Sequence, residues 1–289
     1  MANSLNFGKI KKFFGKRKSN SHKGDNGVVL VIGGSNDLVG APALAAMASL
    51  AAMRIGIDLC IVCAPEKPGF VINKYSPDLI VKKFKGKKFS KKHLKQIFEL
   101  EKKADVILIG PGLGRNKQTL EFTKEFVKKT KKTTVIDADA LTACAGMKFK
   151  GNVLITPHAR EFEIFSGKKI FGKTLLEKEK IVKETAQKYN CTILLKSKTG
   201  KTANIISDGK NTVYNNTGNA GMTKGGTGDV LAGLCTGFIA LKLNLMQAAT
   251  AAAFVNGKIG EKLYKKSGYG YLTSDFVKEI PFWTKKISK

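Results

Sequence analysis

Five consecutive residues, Gly225-Gly-Thr-Gly-Asp229, place a glycine-rich turn and a carboxylate directly before an apolar helix. Glycine amides that turn toward a ligand, together with the positive end of a helix, form an anion hole that suits a phosphate. Asp229, in the first turn, is poorly placed to bind this phosphate but well placed to take a proton from an attacking hydroxyl. The pattern predicts a phosphate site with Asp229 as general base. The plainer alternative is that Asp229 only stabilises the helix, through its interaction with the helix dipole.

Three further segments place small or polar residues directly after apolar runs. They are Gly110-Pro-Gly-Leu-Gly114, Thr156-Pro-His158 with Glu161 behind it, and Lys196-Ser-Lys-Thr-Gly200. In open α/β sheets, ligands bind beyond the carboxyl ends of the strands. These segments are therefore candidates for the same site as Asp229. Each also has a structural alternative when taken singly: a strand-to-helix turn, a histidine that caps a loop, and a lysine-rich surface loop.

The elements that must position these residues alternate along the chain. Apolar runs closed by glycine, such as residues 28–32, are typical of buried parallel strands. Segments with helical character follow such runs, for example residues 41–55 and 175–189. Asp208-Gly209 separates two short apolar runs and indicates a hairpin. Together these features predict an α/β fold with a doubly wound, mostly parallel sheet and helices on both faces.

The length and composition fit one large domain preceded by a basic segment. The chain has 289 residues, 43% of them apolar, which is enough to form a substantial core. Residues 1–21 are basic and carry few large apolar side chains, so we expect a mobile or loosely docked arm there. Residues 22–289 are then expected to form a single domain.

Several classes of protein are disfavoured by composition. The longest uncharged run is too short to span a membrane, and the first residues lack the apolar stretch of a secretory signal. Five scattered cysteines fit reduced, buried thiols in a cytoplasmic protein. Cys60 and Cys63 lie three residues apart in one strand and so face opposite sides, which argues against a shared metal ion. The net charge of +29 allows non-specific attraction to nucleic acid, but the lysines are spread out rather than clustered with aromatic residues.

The ordered set of motifs resembles the ADP/ATP-dependent NAD(P)H-hydrate dehydratase family, which belongs to the ribokinase-like superfamily. The resemblance covers residues 21–233, in the family's order. Two positions depart from the commoner family pattern: Ala159-Arg160 stands in place of Pro-Gly, and Ser197 in place of glycine. Besides residues 225–229, the matching segments are Ser21-His-Lys-Gly-Asp-Asn-Gly27, Gly40-Ala-Pro-Ala-Leu-Ala-Ala46, Gly110-Pro-Gly-Leu-Gly114 and Thr156-Pro-His158 with Glu161.

The resemblance implies a repair reaction on damaged nicotinamide nucleotides. Water is removed from the S epimer of hydrated NADH or NADPH, and ADP or ATP supplies a phosphoryl group. Phosphorylation turns the ring hydroxyl into a good leaving group, and elimination of phosphate restores NAD(P)H. In this scheme Asp229 activates the ring hydroxyl, and the glycine-rich turn holds the transferring phosphoryl group.

The resemblance also assigns roles to residues of this chain. Asp229 is the implied catalytic base and contacts the substrate, and Glu161 is implied to hold Mg²⁺ through water. The other implied substrate contacts are Ala41, Gly112, Gly114 and His158. The implied nucleotide contacts are Lys196, Ser197, Lys198, Thr199, Gly200, Gly225, Gly226, Thr227 and Gly228.

The main alternative is a ribokinase-like kinase of a small alcohol, such as hydroxyethylthiazole or hydroxymethylpyrimidine. It shares residues 225–229 and a strand-end Thr-Pro-x-x-x-Glu, but it does not need Ser21-His-Lys-Gly24 or residues 110–114, which favour the dehydratase. The resemblance further implies a homotetramer, and similarity to stand-alone prokaryotic forms favours ADP. We also expect a separate epimerase, because the residues before Ser21 are too few for the epimerase domain fused to some family members.

Overall fold

A nine-stranded sheet forms the centre of the computed structural model, which describes residues 5–37, 40–197 and 204–287. In chain order the strands are β1 (Val28–Ile32), β2 (Leu59–Pro65), β3 (Ile80–Phe84), β4 (Val106–Ile109), β5 (Thr133–Ile136), β6 (Val153–Ile155), β7 (Thr192–Leu195), β8 (Asn204–Ser207) and β9 (Thr212–Asn215). Their order in the sheet is β3-β2-β1-β4-β5-β6-β7-β8-β9. Strands β1 to β7 pair in parallel, and β8 and β9 extend one edge in antiparallel fashion. The predicted mostly parallel sheet and the hairpin at Asp208-Gly209 are confirmed.

Helices cover both faces of the sheet, as predicted. They are α1 (Phe7–Lys11), α2 (Ala41–Arg54), α3 (Glu66–Tyr75), α4 (Leu94–Glu101), α5 (Lys117–Lys129), α6 (Asp139–Ala143), α7 (Ala159–Ser166), α8 (Leu175–Tyr189), α9 (Thr227–Ala240), α10 (Leu245–Ser267) and α11 (Thr273–Ile287). In β1, Val29 and Val31 pack into the core with α2, α9, α10 and α11, whereas Leu30 and Ile32 pack into the core with α4, α5, α7 and α8. No helix in the described parts of the chain is both long enough and apolar enough to cross a membrane.

The basic N-terminal segment is attached to the core more firmly than its composition suggests. Phe7 of α1 stacks on Trp283, with 5.1 Å between ring centroids, and meets Phe254 edge-on at 5.0 Å. Ile10 is fully buried. Phe7 thus finds partners on α10 and α11, and the mobile or loosely docked arm at residues 1–21 stays a prediction. A domain boundary at residues 21 and 22 stays a prediction.

The cysteines behave as buried apolar residues. All five are free and buried, and burial raises the pKa of Cys60, Cys144 and Cys191 to about 12. Cys60 belongs to the core on one face of the sheet and Cys63 to the core on the other. The prediction that this pair does not share a metal ion agrees with the alternation of side chains along β2.

Close packing of α2 against α9 fixes the position of the glycine-rich turn. A Cβ atom at Gly233 would lie 2.2 Å from the carbonyl oxygen of Ala48 and 2.9 Å from the Cβ of Ala51. The two helices therefore approach as closely as their backbones allow. This contact holds α9 so that its first turn reaches the carboxyl ends of the strands.

Replacing Gly233 with alanine tests this contact. The added methyl group meets backbone atoms that cannot move independently, so we expect the free energy of unfolding to fall by about 1–3 kcal/mol, the usual effect of overpacking a core. Gly151→Ala is the control, because a Cβ there meets no atom within 4 Å. Chemical denaturation of both variants provides the measurement, and equal stability of the two would contradict the packing argument.

Candidate active site

The predicted glycine-rich turn lies at the start of α9. Gly226 caps the helix with a φ of +93°, in the left-handed region, and a Cβ there would lie 2.8 Å from Met47 Cε. The hydroxyl of Thr227 donates to the carbonyl oxygens of Met222 and Lys224, at 2.8 and 2.9 Å. The Thr273 hydroxyl donates to the carbonyl oxygen of Gly225 at 2.7 Å. These bonds hold the turn rigidly, with the positive end of α9 facing a cavity.

Asp229 lies in the first turn of α9, as predicted, and is only 8% exposed. Its Oδ1 atom is buried and has no hydrogen-bond partner among the described residues. Burial, reinforced by the nearby charge of Asp137, raises the pKa of Asp229 to about 7, although Lys196 opposes the effect. A carboxyl group with this pKa exchanges protons readily near neutral pH, which is the property that a general base needs.

Lys196 links the carboxyl ends of three neighbouring strands. Its Nζ lies 2.9 Å from Asp137 Oδ1, directly after β5, and 3.6 Å from Glu161 Oε2, behind β6. Thr156, at the end of β6, donates its hydroxyl to the same Asp137 oxygen at 2.8 Å. Burial lowers the pKa of Lys196, but the two carboxylates outweigh this effect and hold its pKa above the usual range. The ammonium group therefore stays charged, and it lies 3.2 Å from the position of a Cβ on Gly228.

A strained residue separates two acids at the end of β5. Ala138 has φ +49° and ψ −128°, a conformation that alanine rarely adopts and that costs on the order of 1–3 kcal/mol. Asp137 on one side of it pairs with Lys196, whereas Asp139 on the other side accepts a hydrogen bond from the Gly114 amide at 2.9 Å. The strained backbone thus sends two carboxylates in different directions. Strain of this kind is concentrated at functional sites.

His158 and Glu161 cap α7 reciprocally. The Glu161 amide donates to His158 Nδ1 at 3.2 Å, and the His158 amide donates to Glu161 Oε2 at 2.8 Å. Nδ1 of the histidine therefore acts as an acceptor, and a neutral ring carries its proton on Nε2. The alternative of a capping histidine is thus realised, and the same side chain also lines the cavity.

The cavity in front of Asp229 has a volume of about 660 Å³. It brings together residues that lie far apart in the sequence, from Asp137 to Gly257. Of the predicted site residues, those that line it are His158, Glu161, Lys196, Ser197, Gly226, Thr227, Gly228 and Asp229. Gly225 does not line it but bonds to Thr273 behind the turn. Lys198, Thr199 and Gly200 lie outside the described residues.

The remaining predicted substrate contacts lie on another part of the same sheet edge. Ala41 is the first residue of α2, and Gly112 and Gly114 follow β4. Gly112 and Gly114 do not line the cavity around Asp229. They lie near the point where the strand order reverses between β1 and β4, which is where open α/β sheets bind ligands. The bond from Gly114 to Asp139 connects this region to the cavity.

The fold adds residues to the site that were not predicted from the sequence. Asp137 was not among the predicted site residues, although its position directly after β5 is a usable signal. Asn256 of α10 also lines the cavity, and nothing in the local sequence pattern distinguishes it from a core residue. Its role depends on how α10 packs, which no local motif encodes.

The carboxyl groups of the cavity suit a hydrated cation. Among the described residues, no group of three or more His, Cys, Asp or Glu side chains is arranged to hold a metal ion directly. Three carboxyl groups, those of Asp137, Glu161 and Asp229, nevertheless surround the single ammonium group of Lys196. Mg²⁺ keeps several waters and takes few protein ligands. These residues therefore fit an ion that arrives with nucleotide phosphates and contacts the protein through water.

The raised pKa of Asp229 makes stability depend on pH. Folding takes up a proton at this carboxyl between about pH 4 and pH 7, so its burial increasingly destabilises the native state as the pH rises through that range. We expect Asp229→Asn to match the wild type in stability near pH 4. Above pH 7 it should be more stable by a few kcal/mol, at about 1.4 kcal/mol for each pH unit. Thermal denaturation across this range measures the difference.

Asp275 provides a control, because its pKa is shifted in the opposite direction. Its hydrogen bond from the Leu272 amide, helped by Lys278, holds its pKa below the usual range. Its contribution to stability is present above about pH 4 and is lost as the pH falls through the lowered pKa. Asp275→Asn should therefore reduce stability at pH 8 and have no effect at strongly acid pH. If Asp229→Asn also reduced stability at pH 8, the ionised carboxyl group of Asp229 would stabilise the native state. That result would contradict the raised pKa.

Sequence comparisons with known proteins lead to one enzyme family. The family model described as NAD(P)H-hydrate dehydratase matches residues 29–282. The ADP-dependent (S)-NAD(P)H-hydrate dehydratase of Nitrosopumilus maritimus is 35% identical over 288 residues, covering 97% of this chain and 96% of that protein. The bifunctional NAD(P)H-hydrate repair enzyme of Pyrobaculum aerophilum is 40% identical over 267 residues, or 92% of this chain. The chain spans about half the length of this relative, with 52% of it covered.

Structural comparison leads to the same group. An ADP/ATP-dependent NAD(P)H-hydrate dehydratase from Bacillus subtilis, co-crystallised with ATP and Mg²⁺, matches with a TM-score of 0.83 and 25% identity, covering 99% of each chain. The fold is ribokinase-like, in agreement with the sequence resemblance. With a matching family model and a relative that aligns along nearly its whole length, the chain belongs to the NAD(P)H-hydrate dehydratase family.

Proposed function

We propose that this protein dehydrates the S epimer of hydrated NADH or NADPH, using ADP or ATP as phosphoryl donor. The observation that carries the proposal is the position of Asp229, a buried carboxyl group with a near-neutral pKa beside an anion hole. The family membership of the chain supports the same reaction. A small-alcohol kinase would use the same turn, but the matching family is that of the dehydratases.

In the first step the ring hydroxyl of the substrate attacks the terminal phosphoryl group of the nucleotide. Asp229 accepts the hydroxyl proton while the new P–O bond forms and the bond to the leaving nucleotide breaks. AMP leaves when ADP is the donor, and ADP leaves when ATP is the donor. The amides of residues 226–228 and the charge of Lys196 stabilise the phosphoryl oxygens during transfer.

The second step removes the phosphate that the first step attached. The ring C–O bond breaks with its electron pair on the departing phosphate, and the neighbouring ring carbon gives up a proton. A carbon–carbon double bond forms, and NAD(P)H is restored. The same anion hole that held the transferring phosphoryl group accommodates the departing phosphate, so one site serves both steps.

The nucleotide is proposed to lie along the ends of β7 and β8. Lys196 and Ser197 follow β7 and line the cavity, and the Ser197 amide donates to Asn204 Oδ1 at 3.0 Å. This bond joins the end of β7 to the start of β8 and shapes one wall of the cavity. Mg²⁺, when bound, supplies charge neutralisation to the phosphates, and Glu161 is proposed to contact it through water.

Four further features belong to the proposal. These are the preference for ADP, a homotetrameric assembly, supply of the S epimer by a separate epimerase, and a cytoplasmic location. Sedimentation velocity of the purified chain measures the assembly. Initial rates with ADP and with ATP at matched concentrations measure the preference.

Asp229→Asn tests the proposed catalytic role. Asparagine keeps the size of the side chain but cannot accept the proton, so turnover with hydrated NADH should fall by about 10²- to 10⁴-fold. Affinity for ADP should hold or rise slightly, because a negative neighbour of the phosphates is removed. Recovery of dihydronicotinamide absorbance follows turnover, and calorimetry with Mg²⁺ present measures ADP binding.

The structural alternative makes different predictions for the same variant. If Asp229 only stabilised α9, asparagine would cost on the order of 1 kcal/mol of stability and leave turnover nearly intact. Asp275→Asn is the matched control, because Asp275 lies in the first turn of another helix, α11. Near-normal turnover in the Asp229 variant would refute the proposed reaction mechanism.

A further inference from the structure

Asn256 carries a side-chain amide whose oxygen has no partner among the described residues. The residue lies in the middle of α10, is only 5% exposed and lines the cavity. Its Oδ1 atom is buried without a hydrogen-bond partner among the described residues. A buried side-chain amide without partners costs free energy on folding, so a ligand that satisfies it is the expected reason for its presence.

Several residues that line the cavity together with Asn256 have apolar side chains. Leu195, Leu231 and Ala253 contribute aliphatic surface to the lining, and Met222 adds a thioether. Gly257, next to Asn256, packs so closely on Thr217 that a Cβ would lie 2.0 Å from the threonine Oγ1. Apolar surface with a polar amide beside it, a combination here called the slot, is what binding sites use for heterocyclic rings.

The position of this slot matches the nucleotide rather than the hydrated substrate. Leu231 lies three residues after Gly228 in α9, which is about 4.5 Å along the helix axis from the anion hole. α10 packs against β8 and β9, at the edge of the sheet where Lys196 and Ser197 lie. The proposed substrate contacts at Gly112 and Gly114 follow β4, several strands away.

The chemistry of the amide selects one edge of a base. Asparagine offers one donor and one acceptor side by side, and adenine presents an amino group next to a ring nitrogen. We propose that Asn256 binds the adenine ring of the nucleotide co-substrate, accepting from the 6-amino group and donating to the neighbouring ring nitrogen. The proposal rests on the nucleotide dependence proposed above. It adds a specificity-determining residue in α10, remote in sequence from residues 196–200 and 225–229.

A nucleotide that lacks the amino group tests the proposal on the wild-type protein. Purine riboside 5′-diphosphate keeps the ring, the sugar and the phosphates of ADP but has hydrogen in place of the 6-amino group. Titration calorimetry with Mg²⁺ present compares the two nucleotides. We expect the analogue to bind more weakly than ADP by about 10- to 100-fold, because the bond to Asn256 is lost and the amide stays unsatisfied.

Asn256→Leu completes a double-mutant cycle. Leucine has a similar size and no polar atoms, so the variant should bind ADP about as weakly as the analogue and should no longer distinguish the two nucleotides. Thr250→Val is the control, since Thr250 is a buried polar residue of the same helix that does not line the cavity. It should keep the full preference for ADP. Melting temperatures of both variants establish that they are folded.

The outcomes separate this inference from the function on which it rests. If the wild type binds ADP and its analogue equally well, or if Asn256→Leu keeps the full preference, the role of Asn256 is overturned while nucleotide dependence stands. If the wild type binds neither nucleotide, both proposals are overturned. If Asn256→Leu does not fold, the comparison of the two nucleotides on the wild type decides alone.

Discussion

The ion pair between Lys196 and Asp137 determines the properties of the cavity. It joins the ends of β5 and β7, and Thr156 adds a bond from β6, which lies between them. Burying a lysine and a carboxylate is costly unless each is satisfied, and here both partners have at least two interactions. The charges held in this way act on Asp229 in opposite directions, Asp137 raising and Lys196 lowering its pKa. Without Lys196, the carboxylates of Asp137 and Glu161 would lose the ammonium group with which both pair.

The helices then have to bring Asp229 to this charged cluster. An apolar helix with glycine at Gly233 and Gly237 approaches α2 through its backbone, since Cβ atoms there would overlap Ala48 and Ile55. The small side chains of α2, most of them alanine, allow the two helices to approach this closely. The anion hole is thus positioned by small side chains in the core rather than by polar contacts. Polar residues act only at the rim, where Thr227 and Thr273 fix the turn.

Much of this arrangement was predictable because it is encoded locally. Apolar runs closed by glycine marked the parallel strands, and the order of glycine and aspartate marked the first turn of α9. β3 was missed because Lys82 and Lys83 interrupt its apolar pattern, as an edge strand that packs on one side permits. The docking of Phe7 was missed because its partner Trp283 lies at the other end of the chain. The slot around Asn256 likewise exists only after α10 packs onto the sheet.

Two features that weaken the fold meet at the cavity, and their coincidence argues for function. A carboxyl group kept only for helix stability would lie exposed at the helix start with a lowered pKa, as Asp275 does. Asp229 is instead buried with a raised pKa, so at neutral pH it acts against folding. Ala138 holds a backbone conformation that costs further stability beside Asp137. Selection for stability alone would remove both, whereas the proposed proton transfer beside a bound phosphate requires a carboxyl group such as that of Asp229.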